Sequence, residues 1–158
     1  MLQDRFGRTI DYLRISVTDR CDLRCAYCIP KGFRGFEIPQ SWLTIDEIAR
    51  VVRVFASMGT KRIRLTGGEP LLRKDLTALV GNLRSIDGVE DLSLSTNATR
   101  LAIHAYDLKR AGLDRINVSL DSLRGECVQQ ITGNDSLPKV LHGLRIAKGA
   151  GFSQIKLN

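Results

Sequence analysis

The chain has 158 residues, the size of one ordinary domain, and its 43% hydrophobic and 26% charged residues exclude the intrinsically disordered class. No apolar run approaches the roughly 18 residues of a membrane helix, and the charged N-terminus MLQDRFGRTIDYLR is no secretory signal, so a cytoplasmic protein without a membrane partner is expected. A net charge of +7 calls for an anionic partner, while only 6% aromatic residues, none interleaved with basic ones as a base-stacking surface, argue for a phosphorylated small molecule and against nucleic acid.

Strand and helix signals alternate along the whole chain. Tyr12 to Val17 predicts a first strand that runs into a cysteine-bearing loop, and the stretch from Pro30 to Leu43 is predicted as a loop by Pro30, Gly32, Gly35 and Pro39. Thr44-Ile45-Asp46-Glu47 has the form of a capping box, with Ile48, Val51, Val52 and Phe55 at helical spacing until Gly59. Arg62 to Thr66 is the second strand, followed by Gly67-Gly68-Glu69-Pro70 and a helix from about Asp75. Asp91 to Thr96, Arg115 to Leu120 and Gln154 to Leu157 are further strands. A helix over Leu101 to Ala111 and one or two helices between Ser122 and Lys148 fill the intervals.

Strands separated by helix-length segments pair in parallel, giving an α/β sheet or part of a (β/α) barrel. Along each strand apolar residues alternate with polar ones: Leu13, Ile15 and Val17 with Arg14, Ser16 and Thr18; Ile63 and Leu65 with Arg64 and Thr66; Leu92 and Leu94 with Ser93 and Ser95. Ile116, Val118 and Leu120 alternate with Asn117, Ser119 and Asp121, and Ile155 and Leu157 with Lys156 and Asn158. Period two therefore puts the apolar set under the helices and Arg14, Arg64, Ser95, Ser119 and Lys156 on the other face. Three cations cannot be buried there without partners, so the face is wet or holds a polar ligand. The fold class expected is a partial (β/α) barrel with a polar lumen basic enough for a polyphosphate; a two-layer sheet with a solvated outer face is the plainer alternative.

Three of the four cysteines, Cys21, Cys25 and Cys28, fall within eight residues, with Asp22, Arg24 and Tyr27 between them. A disulfide framework would spread its cysteines, so this cluster reads as a metal site, for zinc or for an iron–sulfur cluster. A closed zinc site needs a fourth ligand. His104 and His142 lie in helical segments far along the chain, and Cys127 in GECVQQI reads better as a small buried apolar residue. Three cysteines on a cubane cluster leave one iron open as a reaction site, whereas four would make an electron carrier.

CxxxCxxC after a first strand, with Tyr27 before the third cysteine, resembles the signature of the radical S-adenosylmethionine superfamily. RISVTDRCDLRCAYCIP, IRLTGGEPLLRKDL, LSTNA, AGLDRINVSLDS, ITG and IKLN further resemble, in order and spacing, the MoaA family of GTP 3′,8-cyclases in molybdenum-cofactor biosynthesis. The resemblance implies that Cys21, Cys25 and Cys28 are the catalytic residues that hold a [4Fe-4S] cluster. It implies that Tyr27 and the strand end Gly67, Gly68 and Glu69 meet S-adenosylmethionine with Ser119 near its carboxylate, and that Arg14, Arg64, Ser95 and Lys156 line a GTP site. A deoxyadenosyl radical would remove the ribose 3′ hydrogen and the carbon radical would attack C8 of guanine. It also implies a flavodoxin- or ferredoxin-like electron donor and a downstream pterin synthase, and is compatible with a homodimer.

Each of these residues also has a plainer use. The glycines can serve a tight turn, Glu69 can cap the following helix, Tyr27 can pack under the loop, and Arg14 and Lys156 can be solvated. Residues 1–158 match the N-terminal part of such an enzyme. The family's second cysteine triad and its accompanying arginines have no counterpart after Cys28, so a fragment unable to complete the cyclisation is expected. Other radical S-adenosylmethionine chemistry, on peptides for example, and a non-catalytic zinc or iron–sulfur module are the alternatives. Ala98 stands where the family often has Gly, which predicts a slightly different turn, and Ser95 keeps the hydroxyl of the Thr common there.

Overall fold

The computed structural model describes residues 2–29, 32, 33, 35 and 42–158. The loop expected over Pro30 to Leu43 therefore lies largely outside the described residues. Among those described, the chain forms five strands and five α-helices, one helix between successive strands except for two between the last pair: β1 (Tyr12–Ser16), α1 (Ile45–Ser57), β2 (Arg62–Thr66), a 3₁₀ turn (Pro70–Leu72), α2 (Leu76–Arg84), β3 (Asp91–Thr96), α3 (Leu101–Arg110), β4 (Arg115–Val118), α4 (Gly125–Thr132), α5 (Leu137–Gly149) and β5 (Ile155–Leu157).

All four pairings are parallel and the spatial order is the sequence order, β1-β2-β3-β4-β5. Winding that never reverses direction, with crossovers of one hand, keeps every helix on the same side of the sheet. This is the one-sided arrangement of a (β/α) barrel wall, as the alternating pattern requires. Ile63, Leu65, Leu92, Leu94 and Ile116 are fully buried beneath α1, α2 and α3, together with Val52, Leu79, Leu83, Leu101 and Leu108. α1 starts where the sequence places it. Thr44 Oγ1 accepts from the Glu47 N–H and the Glu47 carboxylate accepts from the Thr44 N–H, so two otherwise orphaned donors are satisfied.

The opposite face is built in rows fixed by register. Arg14 pairs with Arg64, Arg64 with Ser93, and Ser93 with Arg115; one pleat further on, Ser16 pairs with Thr66, and Ser95 with Asn117 and Asn117 with Lys156. The strands are shorter at their carboxyl ends than the sequence suggests. β1 ends at Ser16 rather than Val17, and β4 at Val118 rather than Leu120, although Val17 N–H still donates to Thr66 O and Ser119 N–H to Thr96 O on the neighbouring strands. The segment between Ser122 and Lys148 holds two helices. α4 stops at Gly133, which takes a left-handed C-cap at φ 74°.

Candidate functional site

The site is built where β1 leaves the sheet. The β1–β2 ladder continues past both strands: Val17 N–H donates to Thr66 O, Gly68 N–H to Thr18 O at 2.8 Å and Glu69 N–H to Arg20 O at 2.6 Å. This close approach is why two glycines stand there. A Cβ on Gly67 would lie 2.2 Å from Thr18 O, and one on Gly68 2.3 Å from Arg20 O and 2.5 Å from Asp19 O. Gly67 in addition has φ +150°, which favours glycine. The glycines thus let the cysteine loop lie directly on the end of β2.

Two further elements hold that loop. Arg24 and Ala26 donate their backbone N–H groups to the carbonyls of Thr132 and Ile131, the last residues of α4. The ITG run at 131–133 is therefore a cradle, its carbonyls freed by the end of the helix. From β3, Asn97 Nδ2 donates to Asp22 Oδ1 at 2.8 Å and Thr99 Oγ1 to Asp22 Oδ2 at 2.6 Å. Arg73 adds a brace below the loop. Its nearly buried guanidinium pairs with Asp75 and donates to the carbonyls of Val17 and Leu43.

Cys21, Cys25 and Cys28 are free thiols on this clamped segment, the first two half-buried and the third exposed. Burial pushes the thiols of Cys21 and Cys25 above the ordinary range, and the Asp22 carboxylate adds to the effect at Cys21. Thiols so placed would ionise against the compensating charge of a bound cation. No three His, Cys, Asp or Glu side chains among the described residues converge within reach of a single ion. Cys25 and Cys28 flank a turn closed by Cys28 N–H to Cys25 O, with Cys21 four residues earlier on the same loop, and an iron–sulfur core takes one thiolate at each corner. Cys127 is half-buried in α4.

Tyr27 is exposed beside the loop, its hydroxyl donating to Asp121 Oδ2 at 3.1 Å; desolvation and the neighbouring Cys25 and Asp121 raise its pKa. Glu69 is entirely buried. Its Oε1 accepts from Leu71 N–H and Thr96 Oγ1 and its Oε2 from Asn97 N–H, so the carboxylate caps the 3₁₀ turn and ties β2 to β3. The capping role read from sequence thus accounts for one of its three bonds, and its side chain faces the protein interior. Burial raises its pKa to about 7 against the pull of those three donors. Ser119 is exposed just past β4, with its N–H bonded to Thr96 O.

The polar face carries two kinds of cation. Arg62 pairs with Asp11 and Arg115 with Asp91, both neutralised on the sheet. Arg14, Arg64 and Lys156 have no acidic partner among the described residues, and Arg64 touches only the Ser93 hydroxyl at 3.4 Å and the Tyr12 ring. Arg14 and Arg64 sit side by side in register on adjacent strands, an arrangement of like charges that an anion would relieve. A 290 Å³ cavity bounded by Ser16, Thr18, Trp42, Ile48 and Arg73 lies where β1 ends beside α1.

Sequence reasoning missed Asn97, Asp22, Thr99 and Arg73 as a supporting frame, although LSTNA contains Asn97, IRLTGGEPLLRKDL contains Arg73 and RISVTDRCDLRCAYCIP contains Asp22. The turn at Ala98 is also a correction. Alanine was expected to alter it, yet Ala98 adopts φ 61°, the one positive φ of a non-glycine among the described residues, and is fully buried. The Ala98 N–H bond to Thr96 Oγ1 keeps the left-handed turn at a conformational cost of about 1 kcal/mol.

A sequence profile of the Radical SAM superfamily matches residues 15–158. The chain is 46% identical over 157 residues to a protein of Stenotrophomonas maltophilia described as GTP 3′,8-cyclase, and 48% identical to proteins of that description from Marinobacter nauticus and Listeria welshimeri. These alignments take in 99–100% of the chain, which spans about half the length of these curated relatives (47–48%). In fold it is similar to the FeFe-hydrogenase maturase HydG of Carboxydothermus hydrogenoformans, with a TM-score of 0.73 at 18% identity over 92% of this chain and 35% of that one. It is likewise similar to Streptococcus suis SuiB bound to S-adenosylmethionine, with a TM-score of 0.72 at 18% identity over 94% of this chain and 32% of that one.

Proposed function

The chain belongs to the radical SAM superfamily, and from that premise we propose that residues 1–158 are the N-terminal radical SAM core of a GTP 3′,8-cyclase, a lyase that converts GTP to 3′,8-cyclo-7,8-dihydro-GTP. The observation that carries the reading is a clamped loop of three free thiols leaving the carboxyl end of β1, the strand whose Arg14 lies in register with Arg64, neither arginine having an acidic partner among the described residues. Cys21, Cys25 and Cys28 would hold a [4Fe-4S] cluster, which together with S-adenosylmethionine would supply a deoxyadenosyl radical.

This chain's own residues would hold and orient the reactants. Gly67 and Gly68 bring the end of β2 against the cysteine loop, with Glu69 pinning that end to β3, so that main-chain groups there can meet the amino group of S-adenosylmethionine. Tyr27 and Ser119 lie at the same carboxyl edge of the sheet and would bind its remaining polar groups. Arg14, Arg64 and Lys156 would bind the triphosphate and fix the ribose, with Ser95 as a hydroxyl partner. A flavodoxin- or ferredoxin-like donor would supply the electron and a pterin synthase would take the product. We place the protein in the cytoplasm, and a homodimer is compatible with this reading; no helix among the described residues is long and apolar enough to cross a membrane.

Equilibrium binding of GTP to the anaerobically reconstituted chain tests the substrate assignment. Arg14→Ala and Lys156→Ala should each weaken binding about tenfold, the worth of one charge-assisted hydrogen bond. GTP affinity indifferent to both replacements would overturn it.

A further inference from the structure

Asn97 is the first residue after β3 and the meeting point of four hydrogen-bonded groups. Its backbone N–H is spent on Glu69 Oε2 at 2.7 Å. Its side-chain Oδ1 accepts from the Thr99 N–H at 3.0 Å, and a backbone N–H can only donate, so the amide is oriented with its nitrogen on the other side. That nitrogen has two hydrogens. One goes to Asp22 Oδ1 at 2.8 Å, and Nδ2 also stands 3.9 Å from Cys21 Sγ, within reach of an N–H to sulfur bond. The donor is therefore aimed at one cysteine of the trio by groups that leave the amide no alternative orientation. Thr99 also donates from Oγ1 to Asp22 Oδ2, so the carboxylate and the amide are held as one unit.

A donor to a ligating sulfur stabilises the more negative of two oxidation states, and hydrogen bonds to sulfur are among the levers that set an iron–sulfur potential. We propose that Asn97 is a positioning residue that donates to the Cys21 sulfur and raises the reduction potential of the cluster on Cys21, Cys25 and Cys28, easing its one-electron reduction. The inference rests on the cluster assignment made above and adds to it the residue that tunes the cluster. The Asp22 carboxylate, whose charge beside Cys21 would by itself disfavour reduction, is partly satisfied by that same amide.

The test is a potentiometric titration of the anaerobically reconstituted chain with dithionite as the electron source, reading the reduced cluster by EPR. Asn97→Ser keeps a side-chain oxygen for the Thr99 N–H but has no N–H to give to sulfur, and Asn97→Ala has neither. Both should assemble a cluster with wild-type iron content and a lower midpoint, so that the reduced-to-oxidised ratio at fixed potential falls at least threefold. Thr99→Ala removes the hydroxyl bonds to Asp22 and to Asn97 Oδ1 but keeps the residue-99 N–H that orients the amide, so its midpoint should fall less than in either Asn97 variant. Unchanged midpoints in both Asn97 variants, or an equal drop in Thr99→Ala, would overturn the tuning role. If wild type holds a cluster and neither Asn97 variant does, Asn97 is a structural residue and the inference fails. A wild-type chain that assembles no cluster defeats the cluster assignment itself and this inference with it.

Discussion

The two faces of the sheet are made by the same strands, one residue apart, and they do opposite things. Leu65, Leu94 and Ile116 are fully sealed under the helices, whereas Arg14, Ser119 and Lys156 are exposed and Arg64 and Ser95 half-buried. Stability is therefore concentrated on one face and chemistry on the other, and a substitution shifted by one position should move from one kind of effect to the other. Glu69 is the exception that joins them. It is as buried as the leucines, yet its three acceptor bonds hold the strand ends on which the cysteine loop rests.

The largest expected effect follows from that exception. Glu69→Ala would orphan two backbone N–H groups and a hydroxyl, on the order of 4 kcal/mol in denaturant unfolding at acid pH. Because burial lifts Glu69 from 4.5 to about 7, the folded chain keeps a proton there that the unfolded chain has released. Stability from this site is fully present below 4.5 and is lost as pH rises through about 7, so the gap between wild type and Glu69→Ala should narrow over that window. A gap that widens with pH would contradict the assignment of burial as the dominant influence.

Next in size is the direct comparison across one strand. Leu94→Ala should cost about 3 kcal/mol through loss of buried surface and a residual cavity, and Ser95→Ala should stay within about 0.5 kcal/mol. Equal costs would mean that the second face is packed and not open. A smaller effect on stability, about 2 kcal/mol, is expected for Gly68→Ala, since the new Cβ meets main-chain oxygens that cannot swing aside. The same variant should lose much of its iron on reconstitution, because the displaced segment is the one that carries Cys21.

Where local chemistry decides, the fold was legible in the sequence. The Thr44–Glu47 capping box, the alternation in Arg62–Thr66 and Gly59 after α1 each act over a few residues, and each is found in place, whereas in Asp91–Thr96 the polar-face Ser93 is as buried as its leucine neighbours. The one-sided polarity of the strands also foretold that Arg14 and Lys156 are exposed and Arg64 only half-buried among the described residues. What sequence could not display is contact between distant loops. Asp22 meets Asn97 and Thr99 across more than seventy residues, and Arg24 and Ala26 meet the end of α4 across about a hundred, so neither the frame around the thiols nor the use of ITG as a cradle is written in any local pattern. Glycine pairs at strand ends are legible as turns, but the reason for this pair is the Thr18–Arg20 backbone lying against them.

The central claim is that the three thiols of this loop hold a cluster that acts on S-adenosylmethionine, and the most direct measurement is product formation by the chain itself. After anaerobic reconstitution and reduction with dithionite, wild type should release 5′-deoxyadenosine from S-adenosylmethionine and Cys28→Ser should release essentially none. Equal yields from the two proteins would contradict the account.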